Sequence, residues 1–181
     1  MAEKRLIVIN GTMGIGKSSV SQQLKKMLPR AVLLDGDWCW DADPFAVNDE
    51  TKAMVIGNIA YLLSSFLNCN MYENVVFCWV MNEPDTFEMI STKIVPANYS
   101  TYRFSLTSTP EELKARMEKD VLAGIRSAMD YEKSLARLND YDAQDTIKID
   151  VSGLGVDDTA RLIYRSVMGK EYDDRDKASN R

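Results

Sequence analysis

Apolar residues along this chain fall into two alternating patterns, unbroken runs and stripes that recur every three or four positions. RLIVIN (Arg5–Asn10) is an unbroken run, typical of a strand covered on both faces. KSSVSQQLKKML follows, with Val20, Leu24, Met27 and Leu28 on one helical face and Pro29 as its stop. AVLLDGD (Ala31–Asp37) predicts a second strand that ends on carboxylates. The spacing predicts a helix from about Val47 to Asn68, with Asp49 and Glu50 placed to suit its dipole. NVVFCWVM (Asn74–Met81) is a third buried strand, a short helix follows Pro84 to about Lys93, and TYRFSLT (Thr101–Thr107) is a fourth strand. Thr109, Pro110 and Glu112 then predict a helix start with a capping box. AQDTIKIDV holds the fifth strand and GVDDTARLIYRSVM the last helix.

Buried strands alternating with helices predict an α/β fold of three layers, a five-stranded parallel sheet with helices on both faces. Residues 1–168 form a single domain in this reading, and the polar segment 169–181 is expected to be frayed. Ligands in such folds bind at the carboxyl ends of the strands. Two unusual segments fall there, GTMGIGKSS after the first strand and DGD after the second.

Composition narrows the chemistry. A net charge of −5 argues against a nucleic-acid binder. Cys39, Cys69 and Cys78 show no paired spacing and the chain has no histidine, so a structural zinc site is not expected. Reduced thiols fit a cytoplasmic protein. The apolar stretch AMVIGNIAYLLSSFL is shorter than the ~20 residues of a membrane span, so no membrane partner is expected. Without histidine, proton transfer falls to carboxylates, lysine or tyrosine.

Gly11-x4-Gly16-Lys17-Ser18 has the spacing of a phosphate-binding loop. Glycines let the backbone wrap an anion with its N–H groups pointing inward, and the following helix adds its positive end. Gly11, Met13, Gly14, Ile15, Gly16, Lys17, Ser18 and Ser19 are therefore the expected nucleotide-binding residues. Lys17 is set to reach the terminal phosphates and the Ser18 hydroxyl to bind Mg²⁺. The chain lacks the N-K-x-D expected of a GTPase after the fourth strand. Its third strand runs into Asn82-Glu83 rather than the Asp-Glu of motor ATPases. A kinase using Mg-ATP remains. Of Asp35 and Asp37, one can hold Mg²⁺ through water and the other can orient or deprotonate an acceptor hydroxyl.

GTMGIGKSS followed about twenty residues later by LLDGDWCW resembles the small-molecule P-loop kinases: shikimate, gluconate, adenylylsulfate and chloramphenicol kinases and, more distantly, nucleoside monophosphate kinases. The resemblance implies that Asp37 contacts the acceptor hydroxyl and that Asp35 lies near Mg²⁺. It extends to Leu113-x-x-Arg116, which is similar to the segment leading into a mobile lid, and to Arg137-x-x-x-Tyr141 after it. The third strand has no glycine-rich substrate loop of the shikimate kinase kind, which argues against shikimate.

A lid at about 117–136 also follows from charge. Lys114, Arg116, Lys119, Arg126, Lys133 and Arg137 cluster in an acidic chain, with Gly124 as a candidate hinge. Arginines closing over a transferring phosphoryl group stabilise its charge and exclude water. Arg126 and Arg137 are the catalytic candidates, together with Lys17 and Asp37, and Arg116 is assigned to nucleotide or lid contacts. Trp38 and Trp40, with Trp79 beside them, are candidates for an aromatic wall against the acceptor. The expected reaction is transfer of the γ-phosphoryl group of ATP to a small-molecule hydroxyl or phosphate, by a monomer or homodimer. A nucleoside or nucleotide kinase and a non-catalytic nucleotide sensor or slow ATPase are the alternatives.

Overall fold

Every strand of the sheet runs parallel, in the spatial order β2-β3-β1-β4-β5. The computed structural model describes residues 3–95, 98–124 and 128–173. The strands are β1 (Arg5–Asn10), β2 (Ala31–Asp35), β3 (Asn74–Cys78), β4 (Ser100–Thr107) and β5 (Ile147–Asp150). The helices are α1 (Lys17–Met27), α2 (Asp49–Asn68), α3 (Thr86–Ser91), α4 (Pro110–Leu122), α5 (Ala128–Ala136) and α6 (Val156–Met168).

Strand β1 lies between β3 and β4, and alternate side chains feed two cores. Ile7 and Ile9 pack with Leu24, Phe104, Ile163 and Tyr164 on the α1 and α6 face. Leu6 and Val8 pack with Phe77, Ile59, Leu63 and Ile90 on the α2 and α3 face. An unbroken apolar run is what such a doubly covered strand requires. All carboxyl ends point to one edge, and the glycine loop after β1 and the turn after β2 lie along it.

The structure corrects several boundaries. Strand β2 stops at Asp35, and Gly36–Cys39 forms a 3-10 turn that carries Asp37. A Cβ on Gly36 would lie 2.4 Å from Cγ of Trp79, so glycine is required there by the close approach of the indole. Strand β3 stops at Cys78 rather than Met81, because the Met81 N–H and carbonyl both bond to the Asn10 side chain. Helix α2 opens on a capping box between Asn48 and Thr51, a pair outside the Ser/Thr–Glu/Gln pattern. At Thr109 only half of the expected box forms. Its hydroxyl accepts from the Glu112 N–H (3.3 Å), while its own N–H donates to Ser152 Oγ (3.0 Å).

The lid interval holds the end of α4, Gly124 at φ +71° and helix α5. Beyond α6, Gly169 caps the helix in the left-handed conformation and turns the chain back. Tyr172 is thereby buried edge-on against Tyr164, with ring centroids 5.1 Å apart. Gly169–Asp173 therefore departs from the expectation of a frayed tail. The rest of that tail, 174–181, lies outside the described residues.

Candidate active site

The glycine loop is fixed by its first neighbours. Asn10, at the end of β1, is buried, and its Oδ1 accepts from the N–H groups of Gly11 (2.8 Å) and Met81 (2.9 Å). Its Nδ2 donates to the Met81 carbonyl and to Gln144 Oε1, both at 2.9 Å. One amide thus ties the loop entrance to the segment after β3 and to the segment before β5. Gln144 completes the tie by donating to the carbonyls of Met81 and Asn82 (3.0 and 3.2 Å).

Gly11, Gly14 and Gly16 all have positive φ, at +144°, +81° and +106°. At Gly14 a Cβ would also stand 2.7 Å from Met117 Cγ, so α4 closes directly on the loop. Ile15 sends its side chain into the core, leaving its backbone to the loop, while Met13 is half-buried and Ser19 is exposed in the first turn of α1. Lys17, itself buried, donates to the Thr12 carbonyl (2.9 Å), and the Thr12 hydroxyl donates to the Ser134 carbonyl of α5 (2.9 Å). Helix α5 and the loop lysine are therefore joined through one threonine.

Ser18 Oγ donates to Asp35 Oδ2 at 2.6 Å. Asp35 Oδ1 accepts from the Asp37 N–H (3.2 Å), and Asp37 Oδ1 accepts from Trp79 Nε1 (3.1 Å). A chain of hydrogen bonds so leads from the glycine loop, through a buried carboxylate, to an exposed one. Trp40 packs between Trp79 and Phe45, with centroid separations of 6.3 and 5.5 Å, while Trp38 is 59% exposed. The three tryptophans thus gather at this end of the edge.

Arg116 makes contacts other than lid contacts. Its guanidinium donates to the carbonyls of Ile15 (3.3 Å), Val151 (2.6 Å) and Leu154 (3.2 Å), tying the glycine loop to the turn after β5. In that turn the Asp150 carboxylate accepts from the Ser152 N–H, which holds it below the usual carboxylate range. Arg137 is exposed beside the 3-10 turn Leu138–Tyr141. Tyr141 is fully buried, and burial raises its phenol well above the ordinary value, so it is a packing residue here. Arg126 lies outside the described residues. Burial, with Asp35 nearby, pushes the Cys78 thiol up to about 12, and burial raises Cys39 as well. Burial thus keeps both thiols protonated at neutral pH.

Sequence reasoning missed Asn10, Thr12 and Gln144 as organisers of the loop. Asn10 had a signal, a polar side chain closing an otherwise apolar strand. Gln144 had none.

Among the described residues no helix is long and apolar enough to cross a membrane. The model of a family described as "AAA domain" matches residues 7–140. No curated protein matches the sequence significantly. Solved structures share the fold across nearly the whole chain at low identity. A tunicamycin resistance protein of Deinococcus radiodurans superposes with a TM-score of 0.67 at 16% identity, covering 91% of this chain and 96% of that one. A sugar kinase of Janibacter sp. gives 0.66 at 15%, covering 91% and 93%. The APS kinase of Mycobacterium tuberculosis, solved with AMPPNP and APS, gives 0.61 at 11%, covering 93% and 99%.

Proposed function

We propose, for a chain that belongs to the AAA domain family and has the fold of small P-loop kinases, an ATP-dependent phosphotransferase that acts on a small-molecule acceptor. The observation that carries this reading is the hydrogen-bonded line Ser18–Asp35–Asp37–Trp79, which joins a triphosphate loop to an exposed carboxylate. A nucleotide sensor has no need of that second pole. The kinase names of structural neighbours support the reading, and the AMPPNP in the APS kinase complex supports ATP as donor.

The residues present fit the donor and its metal. The loop from Gly11 to Ser19 is shaped for the phosphates, and Lys17 would leave the Thr12 carbonyl for the terminal phosphate. Ser18 Oγ and Asp35 Oδ2 are adjacent hard oxygen donors, suited to Mg²⁺ directly and through water. Among the described residues no cluster of three or more Cys, Asp or Glu could hold a metal alone. Mg²⁺ takes most of its ligands from substrate phosphates and water, so one hydroxyl and one carboxylate are enough protein ligands for it. When bound, the ion would neutralise charge on the transferring group.

Asp37 acts as the base in this mechanism. Its carboxylate receives the acceptor proton as the hydroxyl oxygen attacks the γ-phosphorus. The bond between that phosphorus and the β,γ-bridging oxygen breaks, and ADP leaves. Trp79 orients the receiving carboxylate through Oδ1. Arg137, and Arg126 outside the described residues, are the proposed lid cations that stabilise the transferring charge; Trp38 and Trp40 are the proposed acceptor wall.

The test is ADP release from Mg-ATP against nucleosides, nucleotides, sugar acids, aminocyclitols and hydroxylated antibiotics. Stimulation by one class, lost about 10²–10⁴-fold in Asp37→Asn with ATP affinity kept within twofold, is the expected result. ATP binding with acceptor-independent turnover, indifferent to Asp37→Asn, would leave the sensor or slow ATPase in its place.

A further inference from the structure

The acceptor end of the sheet edge is both acidic and aromatic, and the two properties together name a ligand chemistry. Between Ala31 and Thr51 stand six carboxylates and no lysine or arginine. Asp35 and Asp37 belong to the reacting line, and Asp49 and Glu50 are explained by the first turn of α2. Asp41 and Asp43 have no such role. Both are exposed, and among the described residues neither takes part in an ion pair or accepts a hydrogen bond.

They lie between Trp40 and Phe45 in sequence, and those rings pack 5.5 Å apart. Phe45 is 64% exposed and Trp38 59%. Exposed aromatic rings in one group mark a binding surface. Their faces carry negative quadrupole charge and attract cations. The carboxylates lie close enough in sequence for their potentials to add within a Debye length of about 8–10 Å. Both features repel an anion and draw an organic cation.

Arg103 is the natural candidate for an anionic acceptor, and its surroundings argue against that role. Its guanidinium lies 4.7 Å over the Phe87 ring, and the residue lines a cavity of about 10 Å³ with Asn10, Glu83 and Gln144. That is room for a single water, and too little for a carboxylate or phosphate.

We propose that the phosphoryl acceptor is a hydroxylated organic amine, bound as its ammonium with its apolar face against Trp38, Trp40 and Phe45 and its charge facing Asp41 and Asp43. This rests on the kinase reading above and gives that site its substrate class. The amine's hydroxyl oxygen bonds to the γ-phosphorus as ADP departs, and the hydroxyl proton goes to Asp37. The ammonium keeps its proton throughout.

An isosteric trio tests the charge alone: 2-amino-1-phenylethanol, 1-phenylethane-1,2-diol and mandelate share an aryl carbinol and differ in bearing a cation, no charge and an anion. Trp38, Trp40 and Trp79 are the only tryptophans of the chain, so intrinsic fluorescence reports on this surface. Titration of the full chain should give the amine a Kd about tenfold or more below that of the diol, with mandelate weakest. In the double variant Asp41→Asn with Asp43→Asn, and in wild type at 0.5 M salt, the amine should fall to within about twofold of the diol, whose own Kd stays put. Phe45→Ala should weaken amine and diol together. Equal binding of the three probes, tighter binding of the diol or mandelate, an amine preference that survives the double variant, or no saturable signal from the amine overturns the proposal. ADP release separates the two claims. Turnover stimulated only by neutral or anionic acceptors keeps the kinase and removes the cation. Cation-selective binding with no transfer to any acceptor keeps the surface and removes the kinase.

Discussion

Gly11–Ser18 and Gly36–Asn48 share one sheet edge and are held in different ways. The first is locked by buried and half-buried side chains: Asn10 at its entrance, Arg116 on its Ile15 carbonyl, and α4 against Gly14. The second is exposed at every position from Asp41 to Asn48, and its order comes from the Asp35 and Trp79 bonds to Asp37 and from aromatic stacking. Under the proposed function the difference follows from what each segment would bind. A triphosphate is the same in every turnover, so backbone N–H groups in a rigid frame serve it. An acceptor is recognised by side chains that meet solvent until it arrives.

The comparison breaks first at Lys17. If the rigid loop carries the chemistry, Lys17→Ala should lower kcat about 10²–10³-fold, as loss of one preorganised donor to a transferring charge does. Acceptor affinity, measured by tryptophan fluorescence, should stay within twofold. A rate within tenfold of wild type would mean that the loop binds nucleotide without serving transfer.

Asn10 tests whether the lock is structural. Asn10→Ala leaves the Gly11 and Met81 N–H groups and the Gln144 amide without their buried partner, and each orphaned buried group costs about 1–3 kcal/mol. With the two N–H groups buried and Gln144 only half-buried, the expected loss is about 2–6 kcal/mol in a urea unfolding curve. Weaker ATP binding should accompany it, since the loop entrance is freed. A midpoint unchanged from wild type would show that water replaces the amide without cost.

Legibility in the sequence follows the same division. The sheet, its parallel sense and the glycine loop could be read because apolar runs and a fixed Gly-Lys-Ser spacing are backbone requirements written locally. Local pattern places Gly36 only at the end of a second strand, yet its real constraint is Trp79, forty-three residues away and packed against it. Arg116 is assigned by sequence to nucleotide or lid contacts, in a stretch where charge clusters. Its carbonyl partners at Ile15, Val151 and Leu154 are set by tertiary packing that no local pattern encodes. Gln144 was invisible for the same reason, while Tyr172 was hidden in a polar segment whose composition outweighed one aromatic residue.

On the acceptor side the effects should be smaller and confined to transfer. Trp79→Phe keeps the ring beside Gly36 and removes only the Nε1–H that orients Asp37. A net hydrogen bond to a charged group contributes about 1.5–3 kcal/mol, and Asp37 is exposed, so the low end applies. That amounts to roughly a tenfold loss in kcat with the KM for ATP unchanged. An equal loss in Trp79→Phe and Trp79→Leu would fit orientation by the indole N–H. Trp79→Phe at wild-type rate, with only Trp79→Leu impaired, would assign the residue to packing instead.

Trp38 should matter least to the fold and only through the acceptor. With 59% of its surface exposed, Trp38→Ala should leave stability within about 0.5 kcal/mol of wild type, as surface substitutions do. Its effect should appear in the acceptor KM, raised several-fold, with kcat at saturating acceptor and the KM for ATP both held. That separation is the sharpest form of the contrast between the two regions, because a change in the glycine loop should not raise the acceptor's KM alone. A drop in unfolding midpoint comparable to that of Asn10→Ala would place Trp38 in the scaffold, and the exposed segment would then be part of the lock rather than its counterpart.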